Sequence, residues 1–252
     1  MATARQIAAY LDRLLEAPLN DSSNNGLQVD NQGDISMVCG GVDAALPFFD
    51  EASRRGANMV ICHHGMSWDA SLSYITNLNY RRLSLLLREN MALYASHLPL
   101  DAHMKVGNNA QLLRRLGVRS LRPFGCYRGR TIGAQGRLPR AMSLKDFAAL
   151  VSRTVGNNHV HVLEYGRKTV RSVAAVAGGG AVGLDEAGRT GVDVYLSGEP
   201  NLAAVTAARE WGLNAVFAGH YATEKFGVQA LLRLVGRTFG VKTEFIDMGV
   251  EF

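Results

Sequence analysis

Cysteine is scarce, with three residues in a chain of 252. Cys39, Cys62 and Cys126 leave one without a mate and show no CxxC spacing. That excludes a disulfide framework and a zinc knuckle built from thiolates, and it points to a reducing compartment. Long apolar runs are missing as well. No stretch approaches the ~20 consecutive apolar residues of a membrane span, and Arg5, Asp12, Arg13 and Glu16 interrupt the apolar residues of the first helix. The expectation is a soluble, cytoplasmic protein with no membrane partner. Proline is sparse, 6 against 27 glycines, and there is no low-complexity tract and no short repeat. With 47% hydrophobic and 19% charged residues, disorder and fibrous architectures are excluded. The net charge of +5 is modest and does not by itself require a nucleic-acid partner.

Apolar residues at three- and four-residue spacing from Ile7 through Leu11, Leu14 and Leu15 predict an amphipathic opening helix. Asp21 to Gly26 is a polar turn cluster. β-rich runs at Met37–Val42, Met59–Cys62 and Met91–Ala95 then alternate with helical patterns at Ala44–Arg55 and Tyr80–Glu89. That rhythm predicts an α/β layered domain. Further strands are predicted at Arg130–Ala134, His159–Leu163 and Val170–Ala177. They surround a helix capped by Ser143, with Leu144, Phe147, Leu150 and Val151 facing inward. After a break at Gly178–Gly180, strands at Val192–Leu196, Ala215–Ala218 and Val241–Ile246 resume the pattern. The expected architecture is two layered α/β domains, one inserted in the other: residues 1–125 with 190–252, and an insert at 126–189.

Acidic residues are absent between Asp101 and Asp146, while Lys105, Arg114, Arg115, Arg119, Arg122, Arg128, Arg130, Arg137, Arg140 and Lys145 all fall there. Such a segment can attract phosphate, or it can be a solvated face balanced by acids elsewhere in the fold or across a subunit interface.

Chemistry concentrates at three strand ends. Val60-Ile61-Cys62-His63-His64-Gly65 places two imidazoles at the carboxyl end of an apolar strand, the edge where open α/β sheets bind ligands. Adjacent strand residues point to opposite sides, which is awkward for one metal and useful for two. The second end carries His97, Asp101 and His103; its carboxylate suits divalent ions, and a neighbouring His can be a ligand, a proton carrier or an outer donor. The third carries Gly219-His220 and Glu224. On a helix starting there, His220 and Glu224 share one face at i and i+4. Five of the seven histidines lie in these segments, which predicts a metal site, with two ions ~3.5–4 Å apart bridged by Glu224 or Asp101. Glu199, after the strand Val192–Leu196, can reach the same edge as a general base or outer acceptor, or it can belong to a helix start at Pro200 and Asn201. His159 and His161 alternate with Val160 and Val162 as polar-face strand residues. Cys62 reads as a buried thiol, and Gly178–Gly180 as a turn.

Together these segments resemble the Nif-three-like family, also known as GTP cyclohydrolase type 1 type 2 homologues. The resemblance runs through Leu14-Leu15-Glu16-Ala17-Pro18, Asn24 to Val29, His63-His64, Ser96 to Asp101, Val192 to Glu199 and Gly219 to Glu224. It implies a two-domain α/β subunit with the Nif-three-like fold, assembled as a toroidal homohexamer, a trimer of dimers. It also implies a dinuclear centre with His63, His64, Asp101, His220 and Glu224 as metal ligands. Glu224 would bridge the ions, and His97 and Glu199 would lie close by as catalytic groups. The ions can be zinc, iron, manganese, nickel or cobalt, since imidazole and carboxylate accept all of them. The chain departs from the commoner pattern at His103 to Gly107, where many members carry smaller residues, and in its short insert from about Cys126 to Arg189.

Such a site predicts a metal-dependent hydrolase acting on a nucleotide or another phosphorylated small molecule, either by ring opening of cyclohydrolase type or by phosphoester hydrolysis. The alternative class is a non-catalytic hexameric metal-binding or scaffold protein that docks other macromolecules. A third reading is nucleic-acid binding through the Arg-rich segment 102–145, which would weaken steeply with salt.

Overall fold

A computed structural model of the chain describes residues 2–16 and 21–250, so Ala17 and Pro18 of the first resemblance segment lie outside the described residues. The chain divides into two compact units, one of residues 1–100 with 227–249 and the other of residues 101–226.

In the first unit the β-branched and apolar runs become a five-stranded sheet. It comprises β1 (Gly26–Val29), β2 (Met37–Asp43), β3 (Met59–His64), β4 (Ala92–Ala95) and β11 (Lys242–Phe245), in the order β1-β4-β3-β2-β11. Only β1 runs antiparallel; the other neighbours are parallel. β3 and β4 are apolar on both faces because helices cover a parallel sheet on both sides, and Val60, Ile61, Leu93 and Tyr94 are fully buried. The helices are α1 (Ala4–Leu15), α2 (Leu46–Arg54) and α3 (Asn77–Arg88). Thr3 and Gln6 start α1 with a reciprocal capping box, and Ile7, Ala8, Leu11 and Leu15 form its buried stripe. Phe48, Phe49, Leu86 and Leu93 centre the core. The register pairs Asp43 with His64 and Cys62 with Ala95, which aligns the carboxyl ends of β2, β3 and β4 along one edge.

The second unit carries a six-stranded mixed sheet. It consists of β5 (Arg119–Tyr127), β6 (Arg130–Ser143), β7 (His161–Leu163), β8 (Thr169–Val176), β9 (Val194–Ser197) and β10 (Asn214–Phe217), in the order β5-β6-β8-β9-β10-β7. Its parallel centre pairs Val176 with Ser197 and Ser197 with Phe217. Three strands therefore end in line just before Gly178, Gly198 and Gly219. The helices are α5 (Asn108–Arg115), α6 (Leu144–Val155), α7 (Leu184–Thr190) and α8 (Leu202–Trp211). Ser143 caps α6 as expected, and Leu144, Phe147, Val151 and Val155 are its buried residues. They pack in a core with Leu112, Val173, Leu196 and Val216. Two helices, α4 (Leu98–Ala102) and α9 (His220–Phe239), contain the points where the chain passes from one unit to the other.

The α/β class and two-sheet architecture agree with the sequence reading. The divisions fall after residues 100 and 226, whereas the sequence reading put the insert at 126–189. The difference has a physical source: β5, β9 and β10 all join the second sheet, and strand partnership cannot be read from periodicity. No helix among the described residues is long and apolar enough to cross a membrane.

Candidate metal centre

In the first unit, β3 ends in His63 and His64, and the chain leaves β4 through Ser96 to His97. The three ring centroids lie 4.7, 5.1 and 5.6 Å apart. One ligating atom from each ring lies within 4.8 Å of the others. Each Nδ1 faces an oxygen. That of His63 is 2.9 Å from the Ser96 carbonyl, that of His64 is 2.8 Å from Asp43 Oδ1, and that of His97 is 3.0 Å from Asp21 Oδ1. These oxygens only accept, so each Nδ1 carries the proton and the lone pair of a neutral ring sits on Nε2. This is the tautomer and orientation that metal-ligating histidines adopt.

The loop Asp21–Asn25 builds one of those supports. Asp21 also accepts from the Leu98 and Ser23 backbone N–H groups and from Asn25 Nδ2, while Asn25 Oδ1 accepts from the His97 N–H at 2.7 Å. Burial would raise the Asp21 pKa, but the His97 hydrogen bond and charge, with Asn25 and Ser23, outweigh it and hold the carboxyl far below the usual carboxylate range. After His64 the chain turns at Gly65, where a Cβ would overlap the Gln28 amide and crowd Ala95. Gln28 uses that space, its Oε1 accepting from Met66 N and Ser67 N. The Trp68 indole N–H donates to the Gly65 carbonyl at 2.8 Å, and the ring meets His97 edge-on at 5.0 Å.

In the second unit the donors are mainly carboxylates. His220 opens α9, and its Nε2 lies 3.1 Å from Glu224 Oε2 one turn on, the i,i+4 geometry expected from the sequence. His220 Nδ1 lies 3.2 Å from Glu199 Oε1. An oxygen of Asp101 is within 4.8 Å of one of Glu224, and both residues are buried. Asp101 accepts from buried Asn108 at 2.8 Å. Two carboxylates so close, out of water, repel one another and call for a compensating cation. Without metal, His220 serves: burial pulls its pKa down, but hydrogen bonds and charges from Glu224 and Glu199 push it up to about 9.

The backbone is shaped around Glu224. Gly178 holds φ +61°, and a Cβ there would overlap the Glu224 carboxylate. Thr223, fully buried, fixes this approach by accepting from Gly178 N at 3.0 Å.

All seven residues singled out from sequence thus fall in two groups: His63, His64 and His97 in the first unit, and Asp101, Glu199, His220 and Glu224 in the second. His97 offers a nitrogen alongside His63 and His64, so its geometry also suits a ligand. The sequence reading missed the orienting residues Asp21, Asn25, Asp43, Asn108 and Thr223, and the closeness of Gly178 to Glu224. The clue to Asp21 and Asn25 was the density of Asx residues before Gly26, which read only as a turn. Elsewhere, His103 Nδ1 accepts from the Lys105 and Val106 N–H groups as a turn cap, and His161 stacks loosely on Phe217 at 6.4 Å. Cys62 is a buried thiol whose pKa is pushed well up by burial, then by the Asp43 charge.

A family model, Duf34/NIF3 (NGG1p interacting factor 3), matches residues 2–250. An Archaeoglobus fulgidus protein named GTP cyclohydrolase 1 type 2 homolog is 40% identical over 244 residues, covering 96% of this chain and 97% of its own. The solved structure of the protein ybgI, described as of unknown function, superposes with a TM-score of 0.92 at 32% identity, covering 99% of this chain and 100% of its own. TTHA1606 from Thermus thermophilus gives a TM-score of 0.87 at 34% identity, covering 98% and 99%. With a fold, a set of strand-end donors and relatives that agree along nearly its whole length, the chain belongs to the Duf34/NIF3 family.

Proposed function

We propose that this protein holds two divalent cations through His63, His64, Asp101, His220 and Glu224, with Glu224 shared between them, and that it hydrolyses a nucleotide or another phosphorylated small molecule. The observation that carries the metal reading is the histidine trio, in which every Nδ1 is tied to an oxygen acceptor. The donor set fits: imidazole and carboxylate together suit zinc, iron, manganese, nickel or cobalt, and the buried Asp101 and Glu224 supply negative charge that a cation would neutralise. The relatives' name, GTP cyclohydrolase 1 type 2 homolog, supports a small-molecule substrate of nucleotide type.

The chemistry such cations supply when bound is Lewis acidity toward a water and toward a substrate oxygen. The chain's own residues do the rest. Asp43 and the Ser96 carbonyl fix the rings of His64 and His63. His97, backed by Asp21, carries a proton between solvent and substrate. Glu199 orients His220 through Nδ1 and would accept a proton from the attacking water, while His97 would return one to the leaving group as it departs. The working assembly in this reading is a cytoplasmic homohexamer, a trimer of dimers.

Elemental analysis of the untagged protein, followed by a screen of nucleotides and phosphoesters with and without the metal found, tests the proposal. Glu224→Ala should lose at least one ion while staying folded; full occupancy in that variant would contradict the assignment. A second reading, a non-catalytic metal-binding scaffold that docks other macromolecules, is favoured by the family description as an interacting factor. Metal coordination decides between the two: an open or water-filled position favours catalysis, and saturated ions favour the scaffold.

A further inference from the structure

The metal reading uses none of the ten cations between Asp101 and Asp146. Some are engaged inside the second unit: Arg114 donates to the Met104 and Lys105 carbonyls, and Arg115 lies over the Phe226 ring at 4.7 Å. Arg119, Arg122, Arg137 and Arg140 are exposed on the hairpin β5–β6, and none of the four has a carboxylate partner among the described residues. The register sets Arg119 directly opposite Arg137, and Arg122 opposite Gln135. Residues opposite one another, or two apart along a strand, share a face, so Arg119, Arg122 and Arg137 project from the same side of the ribbon.

Folding alone does not favour this arrangement. Like charges directly across a strand pair weaken it. Both strands also break register beside the arginines, β5 between Arg119 and Arg122 and β6 between Arg137 and Met142. Within the first break, Ser120 adopts φ +54°, a left-handed conformation unusual for serine. Such bulges re-aim side chains. β5 is the outermost strand of its sheet. Two acids of the same unit are engaged elsewhere: Glu186 accepts from the Gly125 and Cys126 N–H groups, and Asp193 from Ser172 and Arg171.

We propose that this face of the β5–β6 ribbon binds the phosphodiester backbone of a nucleic acid, without reading bases. Eight of the ten cations are arginine, whose planar fork matches phosphate geometry. Between them the ribbon exposes Ser120 and Thr131 and half-buries Gln135. That row lacks the aromatic anchors on which protein partners depend.

The test is fluorescence anisotropy of the full-length protein with labelled 30-nucleotide single-stranded DNA, the same RNA and a 30-base-pair duplex, from 50 to 200 mM salt. Three phosphate contacts predict a log–log salt slope near −2.1 for single strands, about a 20-fold loss of affinity over that range. The triple variant Arg119→Gln/Arg122→Gln/Arg137→Gln should retain its fold by circular dichroism and its metal content, with that salt-dependent loss all but abolished. Arg119→Lys/Arg137→Lys, which keeps the charge, should keep the slope. Failure to bind any of the three probes at 50 mM salt would overturn the proposal, as would an unchanged slope in the triple variant. If polyglutamate of equal length competes as well as DNA, the partner is an acidic protein and the assignment to nucleic acid fails.

Discussion

Gly178→Ala separates the cost of a strained backbone from the cost of disturbing the metal donors. Gly178 holds φ +61°, which disfavours any L-residue by roughly 1–2 kcal/mol. The new methyl would also overlap the Glu224 carboxylate and lie 2.9 Å from His220 Nε2. Glu224 is buried on α9, so its side chain must leave its rotamer at a further ~0.5–1.5 kcal/mol. Gly156→Ala is the matched control. Gly156 ends α6 at φ +70°, and the nearest atom to an added Cβ is Lys225 Nζ at 3.8 Å. It carries the backbone cost and nothing else. Both variants should melt earlier, Gly178→Ala by more. Only Gly178→Ala should lose metal affinity, by about 10–100-fold, the usual consequence of disturbing groups around a metal site. Thermal melts and elemental analysis after dialysis against limiting metal provide the readouts. Wild-type metal content in Gly178→Ala, or equal loss in Gly156→Ala, would refute the reasoning.

Asp43→Asn and Asp21→Asn should each weaken metal binding by about 10–100-fold without removing a ligand, because His64 and His97 lose the carboxylates that orient them. Competition with a chromophoric chelator measures this, and unaltered affinity in both variants would count against the tautomer argument. In the metal-free protein, the His220 pKa is raised from 6.5 to about 9. The sign follows: its pairing with Glu224 and Glu199 stabilises fully below pH 6.5 and is lost as pH rises through about 9. The melting temperature of chelator-treated protein should therefore fall between pH 7 and 10, and Glu199→Gln should flatten that fall; a profile identical to wild type in Glu199→Gln would refute it.

Much of the site was legible because its donors are rare residue types at strand ends. His63-His64 after an apolar run, and His220 with Glu224 at helical spacing, required only periodicity and the rule that parallel sheets bind at their carboxyl edge. What was not legible was what holds the donors. Asp21 lies 76 residues from His97 in sequence, and no local pattern couples them. Asp43 reads as a strand end, and its partnership with His64 depends on the β2–β3 register. Gly178 reads as a turn because its close approach to Glu224 arises only once β8 and α9 are packed. The fold shows the same division. β3, β4 and α6 follow from their own residues, whereas β5, with Arg119, Arg122, Pro123 and Gly125, has a composition that disfavours strands. It becomes one by pairing with β6. Edge strands tolerate such residues because one side of their backbone needs no partner.

The orienting bonds also bear on how metal and folding are linked. In small metal-dependent domains the ligands are ordered only when the ion binds, so chelation unfolds them. Here each unit has an apolar core of its own: Phe48, Phe49 and Leu93 in the first, Phe147, Val173 and Val216 in the second. The imidazoles, moreover, are already held by Asp21, Asp43 and the Ser96 carbonyl. The ordering cost falls on folding and not on binding, which favours affinity through preorganisation. A bound ion would then stabilise the native state by mass action, RT ln(1 + [L]/Kd), about 2.7 kcal/mol at a hundredfold excess over Kd. Stripping it should lower the melting temperature and leave a cooperative transition in place. A chelated protein that loses its secondary structure at room temperature would mean that the donors, and not the cores, hold the units together.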